Sequence, residues 1–249
     1  MVSLEKCISI VGIGRMGRVF AQKLADSRRL VLYDRDIDQA AAAAARVGAC
    51  AAASLEEAAE CGTVILAVPD REVLSCIEYF NSLKKELIVV NVATSVPQDV
   101  LEQTVKYPVR GISVKIIGHA GEMTLGMKPV IIVNSAPADL AEQACRLFAP
   151  MGCVITGEAD DVATINTVAA EVVLEAAVQI ENTLRRRGYY NSLVIRSAIG
   201  QVAAGVLKAY ADDDLGPFAR EIVQAVQAKL AGDPDQEAAA ARGQQEERQ

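Results

Sequence analysis

The stretch Cys7-Ile8-Ser9-Ile10-Val11-Gly12-Ile13-Gly14-Arg15-Met16-Gly17 decides the fold. A short apolar run ends on the pattern G-x-G-x-x-G, and a helical pattern from Arg15 to Ser27 follows it. Strand, glycine turn and helix in that order open a βαβ unit of the kind that holds a dinucleotide. In that unit Gly12 permits the tight turn, and Gly14 takes away a side chain where a pyrophosphate would lie. Gly17 lets the helix close onto the strand. With Ile13, Arg15 and Met16 between them, these glycines would set the phosphates against the amides that begin the helix.

The next strand, expected from Leu30 to Tyr33, ends at Asp34. An acidic side chain there is placed to accept hydrogen bonds from the adenosine ribose hydroxyls. Its charge opposes a 2′-phosphate and so favours NAD. Arg35 follows directly, however, and with Arg15 it offers a guanidinium to that phosphate, which keeps NADP open.

The alternation continues outward. Helices are expected over Asp38 to Val47, Glu72 to Asn81 and Ala138 to Phe148, with a capping box at Ser54-Leu55-Glu56-Glu57. Strands are expected over Thr63 to Val68, Leu87 to Val92, Ile112 to Ile117, Val130 to Val133 and Val154 to Thr156. Gly118 to Lys128 reads as a polar loop. Beyond Gly157 the pattern is helical only, with apolar residues at three-to-four spacing in three stripes, the first broken by Gly188. The expected fold is therefore α/β, a Rossmann-type, mostly parallel sheet over residues 1–157. An all-helical domain, whose apolar stripes would pack against the sheet or a second copy of the chain, covers 158–231, and a mobile tail covers 232–249.

Composition narrows the function classes. The chain has 249 residues, is 51% apolar, lacks tryptophan and carries a formal charge of −7. No basic stripe is present, so nucleic acid is not an expected partner. The longest apolar stretches fall far short of the ~20 residues a spanning helix needs, so no membrane partner is expected and the location read is cytoplasmic. Six cysteines without a C-x-x-C pair, beside a single histidine, read as reduced core residues rather than metal ligands.

Taken with the glycine loop, the run Val64-Ile65-Leu66-Ala67-Val68-Pro69 resembles the fourth strand of the 6-phosphogluconate dehydrogenase superfamily. In that superfamily the end of this strand, here Ala67 to Pro69, lies beside the nicotinamide ribose. The layout as a whole is similar to pyrroline-5-carboxylate reductase. Glu158, Asp161 to Thr164 and Glu175-Ala176-Ala177 fall along that family's long dimerisation helix, and Gly188 matches the glycine that ends it. The resemblance covers about residues 5–230. It implies an eight-stranded Rossmann domain and a homodimer interlocked through the C-terminal helices. The pocket segments differ: Ile116 to Gly121 stands where the family has Met-Pro-Asn-Thr-Pro, and Asn166 to Ala170 where it has Gly-Ser-Gly-Pro-Ala. No Pro-Gly-Gly-Thr-Thr occurs near Asp212 to Phe218. A changed substrate is the simplest reading of these departures.

Candidates for the reacting groups follow. His119, the sole histidine, lies in the loop expected to face the nicotinamide and can exchange a proton near neutral pH. Lys115 and Glu122 are cationic and anionic candidates for substrate contact. Asn166 and Glu171, near the start of the long helix, match the location of substrate-facing polar residues in the superfamily. Thr94 and Ser95 follow the fifth strand, beside the expected carboxamide. Two hypotheses result. One is an NAD(P)-dependent oxidoreductase reducing a C=N or C=O bond in a small, carboxylate-bearing substrate. The other is a non-catalytic sensor or assembly protein that retains the cofactor fold.

Overall fold

The computed structural model describes residues 7–231. These fall into two compact units, one ending at Ala170 and the other beginning at Glu171. The tail expected over 232–249 lies outside the described residues.

The first unit is an eight-stranded sheet: β1 (Cys7–Val11), β2 (Arg29–Tyr33), β3 (Cys50–Ala51), β4 (Thr63–Leu66), β5 (Leu87–Asn91), β6 (Val109–Ile117), β7 (Val130–Asn134) and β8 (Cys153–Gly157). Its order is β3-β2-β1-β4-β5-β6-β7-β8. Every pairing is parallel except β6 with β7. Helices α1 (Arg15–Leu24), α2 (Ile37–Val47), α3 (Leu55–Ala59), α4 (Asp70–Leu83), α5 (Gln98–Thr104), α6 (Ala120–Thr124) and α7 (Ala138–Phe148) connect the strands. The fold is α/β and Rossmann-like, as the strand-helix alternation implies.

Both faces of the sheet are covered, which is why β4 and β5 read as unbroken apolar runs. Side chains of successive strand residues alternate between faces. Ile65 and Ile8 join Phe20, Leu24 and Phe148 in one core, while Val64 and Leu66 join Val73, Ile77 and Phe80 in the other. Local sequence sets the helix ends. The Asp36 carboxylate accepts from the Gln39 amide at the start of α2, and Gly48, at φ +68°, ends that helix. Ser54 caps α3 through the Glu57 amide, as a capping box requires, but the Glu57 carboxylate accepts from the Ala53 amide rather than that of Ser54.

Three elements had no counterpart in the sequence reading. β3 is two residues long and exposed, too short for periodicity to register. The helix α5 follows Pro97, a start signal that could have found it. A single helical turn, α6, occupies part of the expected loop at Gly118 to Lys128. The cysteine reading is corrected: Cys7 and Cys61 form a disulfide across 54 residues of sequence. Cys7 opens β1 and Cys61 just precedes β4. Since these strands are parallel neighbours, the chain enters both at one edge of the sheet. Of the free cysteines, Cys50 and Cys153 are exposed rather than core.

The long helix α8 (Asp161–Arg186) begins in the first unit and continues into the second, which adds α9 (Ser192–Ser197), a π-helical segment at Ala198–Ala203, α10 (Ala204–Ala211) and α11 (Pro217–Ala231). Gly188, at φ +89°, follows α8. The apolar stripes of these helices stand open: Val172, Leu174, Val178, Leu193, Val202 and Phe218 are each more than half exposed. By length and composition alone, Asp161–Arg186 and Ser192–Ala211 reach the range of membrane-crossing helices. The first carries no long continuous apolar run, because polar residues such as Glu171, Glu175 and Gln179 interrupt it.

Candidate functional site

The strand order reverses between β1 and β4, which makes the crevice at their C-terminal ends the expected ligand position in an open α/β sheet. Because β2, β1, β4, β5 and β6 run parallel, their C-terminal ends share one edge. That edge therefore gathers Asp34, the loop from Gly12 to Gly17, Ala67 to Pro69, Thr94 and His119. The sequence places these up to about a hundred residues apart.

The three glycines have different physical reasons. Gly12 has φ +95°, and a Cβ on it would lie 2.5 Å from the Ala67 carbonyl oxygen. A Cβ on Gly17 would lie 1.9 Å from the Gly12 carbonyl oxygen. Both are therefore glycine because the chain itself leaves no room. Gly14 differs: its φ of −69° suits any residue, and a Cβ there would meet nothing within 4 Å. The fold gives no internal reason for glycine at this position, which a pyrophosphate against the loop would supply. Gly14 is also the N-cap of α1, with no side-chain cap and no acidic residue in the first turn. The opening amides of α1 thus have no capping side chain and no acidic residue in their own turn to compete with an anion.

Asp34 is part of the loop's construction. Its Oδ2 accepts from the Ile13 amide at 2.6 Å and its Oδ1 from the Asp36 amide at 3.0 Å. A carboxylate oxygen accepts more than one hydrogen bond, so both remain able to take a ribose hydroxyl. Arg35 is exposed and pairs with Glu72 at 3.0 Å. Arg15 is exposed too, and with Arg18 and Arg46 it lines an open groove of about 670 Å³ between α1, α2 and α6. Met16, the second residue of α1, packs partly buried against the core. Ala67 and Val68 are half-buried at the end of β4, and exposed Pro69 caps α4. Residues 12–17, Asp34 and 67–69 thus lie together around the strand reversal.

The second part of the edge rests on a difference in strand length. Asn91, the last residue of β5, pairs with Ser113, but β6 runs on to Ile117. The turn after β5 folds against this overhang and is held by buried polar groups. Asn91 donates to the Val96 carbonyl and accepts from the Ala93 amide. Lys115, fully buried on β6, donates from Nζ to the carbonyls of Ala93 and, at 2.8 Å, Val96. The Asp160 carboxylate accepts from the Gln98 amide, and Gln98 Oε1 accepts from the Ser113 amide. Thr94 is carried on this turn. The expectation that Lys115, mid-strand, meets substrate is thus corrected: the alternating strand turns it inward, where two carbonyls replace water.

The remaining candidates sort by what they touch. His119 is exposed at the N-cap of α6, and its imidazole makes no capping hydrogen bond. Asn166 is half-buried near the start of α8 and donates from Nδ2 to the Ile116 carbonyl, 3.0 Å away at the end of β6. His119 and Asn166 therefore converge on the same strand end. Glu122 and Ser95 are exposed, as is Glu171 on α8. Asn91, Gln98 and Asp160 escaped the sequence reading. The polar Asn91 closing the apolar run from Leu87 is the one signal that could have found any of them.

This arrangement is an open α/β sheet with a dinucleotide-type glycine turn at its strand reversal. Residues 7–95, from β1 through the turn after β5, match the family described as NADP oxidoreductase, coenzyme F420-dependent. No curated protein sequence matches the chain. Among solved structures, a pyrroline-5-carboxylate reductase from Coxiella burnetii is similar, with a TM-score of 0.65 at 14% identity over 100% of this chain and 93% of that one. A pyrroline carboxylate reductase from Plasmodium falciparum with NADP bound has a TM-score of 0.60 at 13% identity, covering 92% of each chain. An imine reductase variant from Myxococcus stipitatus in complex with NAD+ has a TM-score of 0.58 at 14% identity, over 83% of this chain and 77% of that one. The chain has the fold of the pyrroline-5-carboxylate reductases, in keeping with the resemblance read from its sequence.

Two outcomes follow from this geometry. Gly14→Ala is expected to leave the melting temperature near that of the wild type while abolishing dinucleotide binding by calorimetry. Gly17→Ala, which forces α1 off the sheet, is expected to destabilise the fold by about 1–3 kcal/mol or more in urea unfolding. Equal loss of stability in the two variants would mean that Gly14 is structural after all.

Burial lowers the Lys115 ammonium to about 8, against opposing pulls from Asp160 and Asp70. An unfolded lysine keeps its proton to higher pH, so above about 8 the unfolded chain binds more protons and stability rises with pH. In denaturant titrations the stability of the wild type relative to Lys115→Met should therefore increase between about pH 8 and about pH 10. A difference that stays flat over that window contradicts a buried, protonated Lys115.

Proposed function

We propose that the protein is an NAD(P)-dependent oxidoreductase that reduces a C=N or C=O bond in a small, carboxylate-bearing substrate. The observation that carries this is Gly14, a glycine without internal cause at the uncapped start of α1. The residues fit the dinucleotide: amides of 14–17 for the pyrophosphate, Asp34 for the adenosine ribose, and Ala67 to Pro69 with Thr94 for the nicotinamide end. A nicotinamide bound there supplies the hydride. The acidic Asp34, together with the pairing of Arg35 to Glu72, supports NAD ahead of NADP.

The chain's own chemistry is proton delivery and positioning. Hydride addition to the carbon of C=N or C=O leaves negative charge on nitrogen or oxygen, which must take up a proton. His119 is the group for that step, because its imidazole is exposed and caps no helix, and an imidazole can both donate and accept a proton. Asn166, anchored to β6, orients the substrate from the start of α8. Replacement of the family's pocket segments by Ile116 to Gly121 and Asn166 to Ala170 supports a substrate other than pyrroline-5-carboxylate.

The first test is calorimetry with NADH and NADPH, followed by a screen of cyclic imines and keto acids read by cofactor absorbance. Binding of NADH at least as tight as NADPH is expected, with turnover. His119→Asn should lower kcat by about a hundredfold, within the range general acids contribute, while leaving cofactor affinity unchanged. No binding of either cofactor sinks the proposal; binding without turnover on any compound favours the sensor reading.

We further infer a homodimer through the helical unit. Apolar stripes as exposed as those of α8, α9 and α11 mark association surfaces in soluble proteins. The polar residues interleaved along α8 suit a partner helix better than lipid. Light scattering should give twice the chain mass of 26.4 kDa; a monomer would overturn this assignment.

A further inference from the structure

Lys115 carries more than a structural role, on the reading that the crevice binds a nicotinamide dinucleotide. It sits on the β6 overhang, beyond the last β5–β6 pair, directly beneath the turn that carries Thr94. Its hydrogen-bond partners are carbonyls, not carboxylates. The neighbouring side chains Asn91, Gln98 and Ser113 are neutral. The acidic groups that act on it are Asp160, already engaged by the Gln98 amide, and Asp70, the first residue of α4. A positive charge with no contacting counter-ion therefore lies inside the cofactor edge, where low polarisability lets its field extend.

We propose that Lys115 is a positioning residue that also biases the site by its charge: its ammonium fixes the turn 93–97 and makes the site hold the reduced, neutral nicotinamide ring more tightly than the oxidised, cationic one. The two redox forms differ at the ring by one positive charge, so a nearby cation repels only the oxidised form. A site that releases the oxidised product readily is suited to reduction rather than to the reverse reaction. A loop held only mechanically would lose affinity for both forms alike when the clamp is removed. The ratio of the two affinities therefore separates charge from scaffolding.

The experiment is calorimetry of NADH and NAD+, and of NADPH and NADP+, with wild type and Lys115→Met from about pH 7 to about pH 9.5. Folding of the variant is followed by circular dichroism. At pH 7 the ratio of oxidised to reduced dissociation constants should be about tenfold larger in the wild type than in Lys115→Met, the scale of one charge acting through the protein interior. The wild-type ratio should fall through about pH 8 as Lys115 loses its proton, while the variant's stays level. Equal ratios at pH 7, or a wild-type ratio that does not change with pH, would overturn the proposal. Should Lys115→Met fail to fold, Asp160→Asn decides. Loss of that carboxylate, which favours the ammonium, must shift the fall to lower pH, and an unmoved profile counts against Lys115. Wild type that binds neither redox form removes the dinucleotide reading itself, a result distinct from binding without redox bias.

Discussion

The structure of the candidate site depends on one steric constraint, the contact of α1 with the turn that follows β1. The Gly12 carbonyl occupies the space where Gly17 would carry a Cβ, and the Ala67 carbonyl occupies the space where Gly12 would. Helix, turn and the end of β4 are thereby packed backbone against backbone, with no side chain to act as a spacer. This fixes the start of α1 at the strand reversal. It also seats Phe20 and Leu24 in the core, so α1 is positioned by the same packing that stabilises the sheet. Asp34 extends the arrangement by holding the Ile13 amide, which ties the end of β2 to the same turn.

The other half of the edge is built on a different principle. Where β5 stops and β6 continues, the chain has no strand partner for the turn 93–97, and side chains supply what the ladder does not. Asn91, Lys115, Gln98 and Asp160 together satisfy the main-chain groups of Ala93, Val96, Gln98 and Ser113. Burying polar main chain without such partners would cost about 1–3 kcal/mol per group. The burial of an ammonium here opposes stability, as its lowered proton affinity records. The fold tolerates that burden because two carbonyls accept from the ammonium and two carboxylates lie within electrostatic reach.

These two constructions explain what the sequence disclosed. A site made of main chain announces itself through glycine, since glycine is required wherever backbones touch or a ligand replaces a side chain. Hence Gly12, Gly14 and Gly17, the end of β4 and Asp34 were legible, together with most of the strands and helices that carry them. A site made of side chains announces only its residue types, not their partners. Lys115 reads the same on paper whether it faces solvent or the sheet interior. The distinction rests on the phase of β6 and on how far that strand overshoots β5, and neither is written locally. Gln98 and Asp160 meet across 62 residues, and Cys7 and Cys61 across 54, because the sheet order brings them together. Periodicity along the chain holds no information on such pairs.

Chemical competence in the reacting half then turns on which groups are already committed. Lys115 donates to two carbonyls and is enclosed, so it can influence charge and position but cannot reach a substrate. Asn166 donates one amide hydrogen to Ile116, which holds its head in place and leaves its carbonyl oxygen for a donor. His119 stands two residues past β6, exposed, and its side chain is not used to cap the helix it begins. A proton-transfer group must change its bonding during reaction, whereas a positioning group must not. By that criterion the proposed roles divide: Lys115 and Asn166 suit positioning, and His119 suits proton transfer. The division follows from strand length and helix placement rather than from residue type.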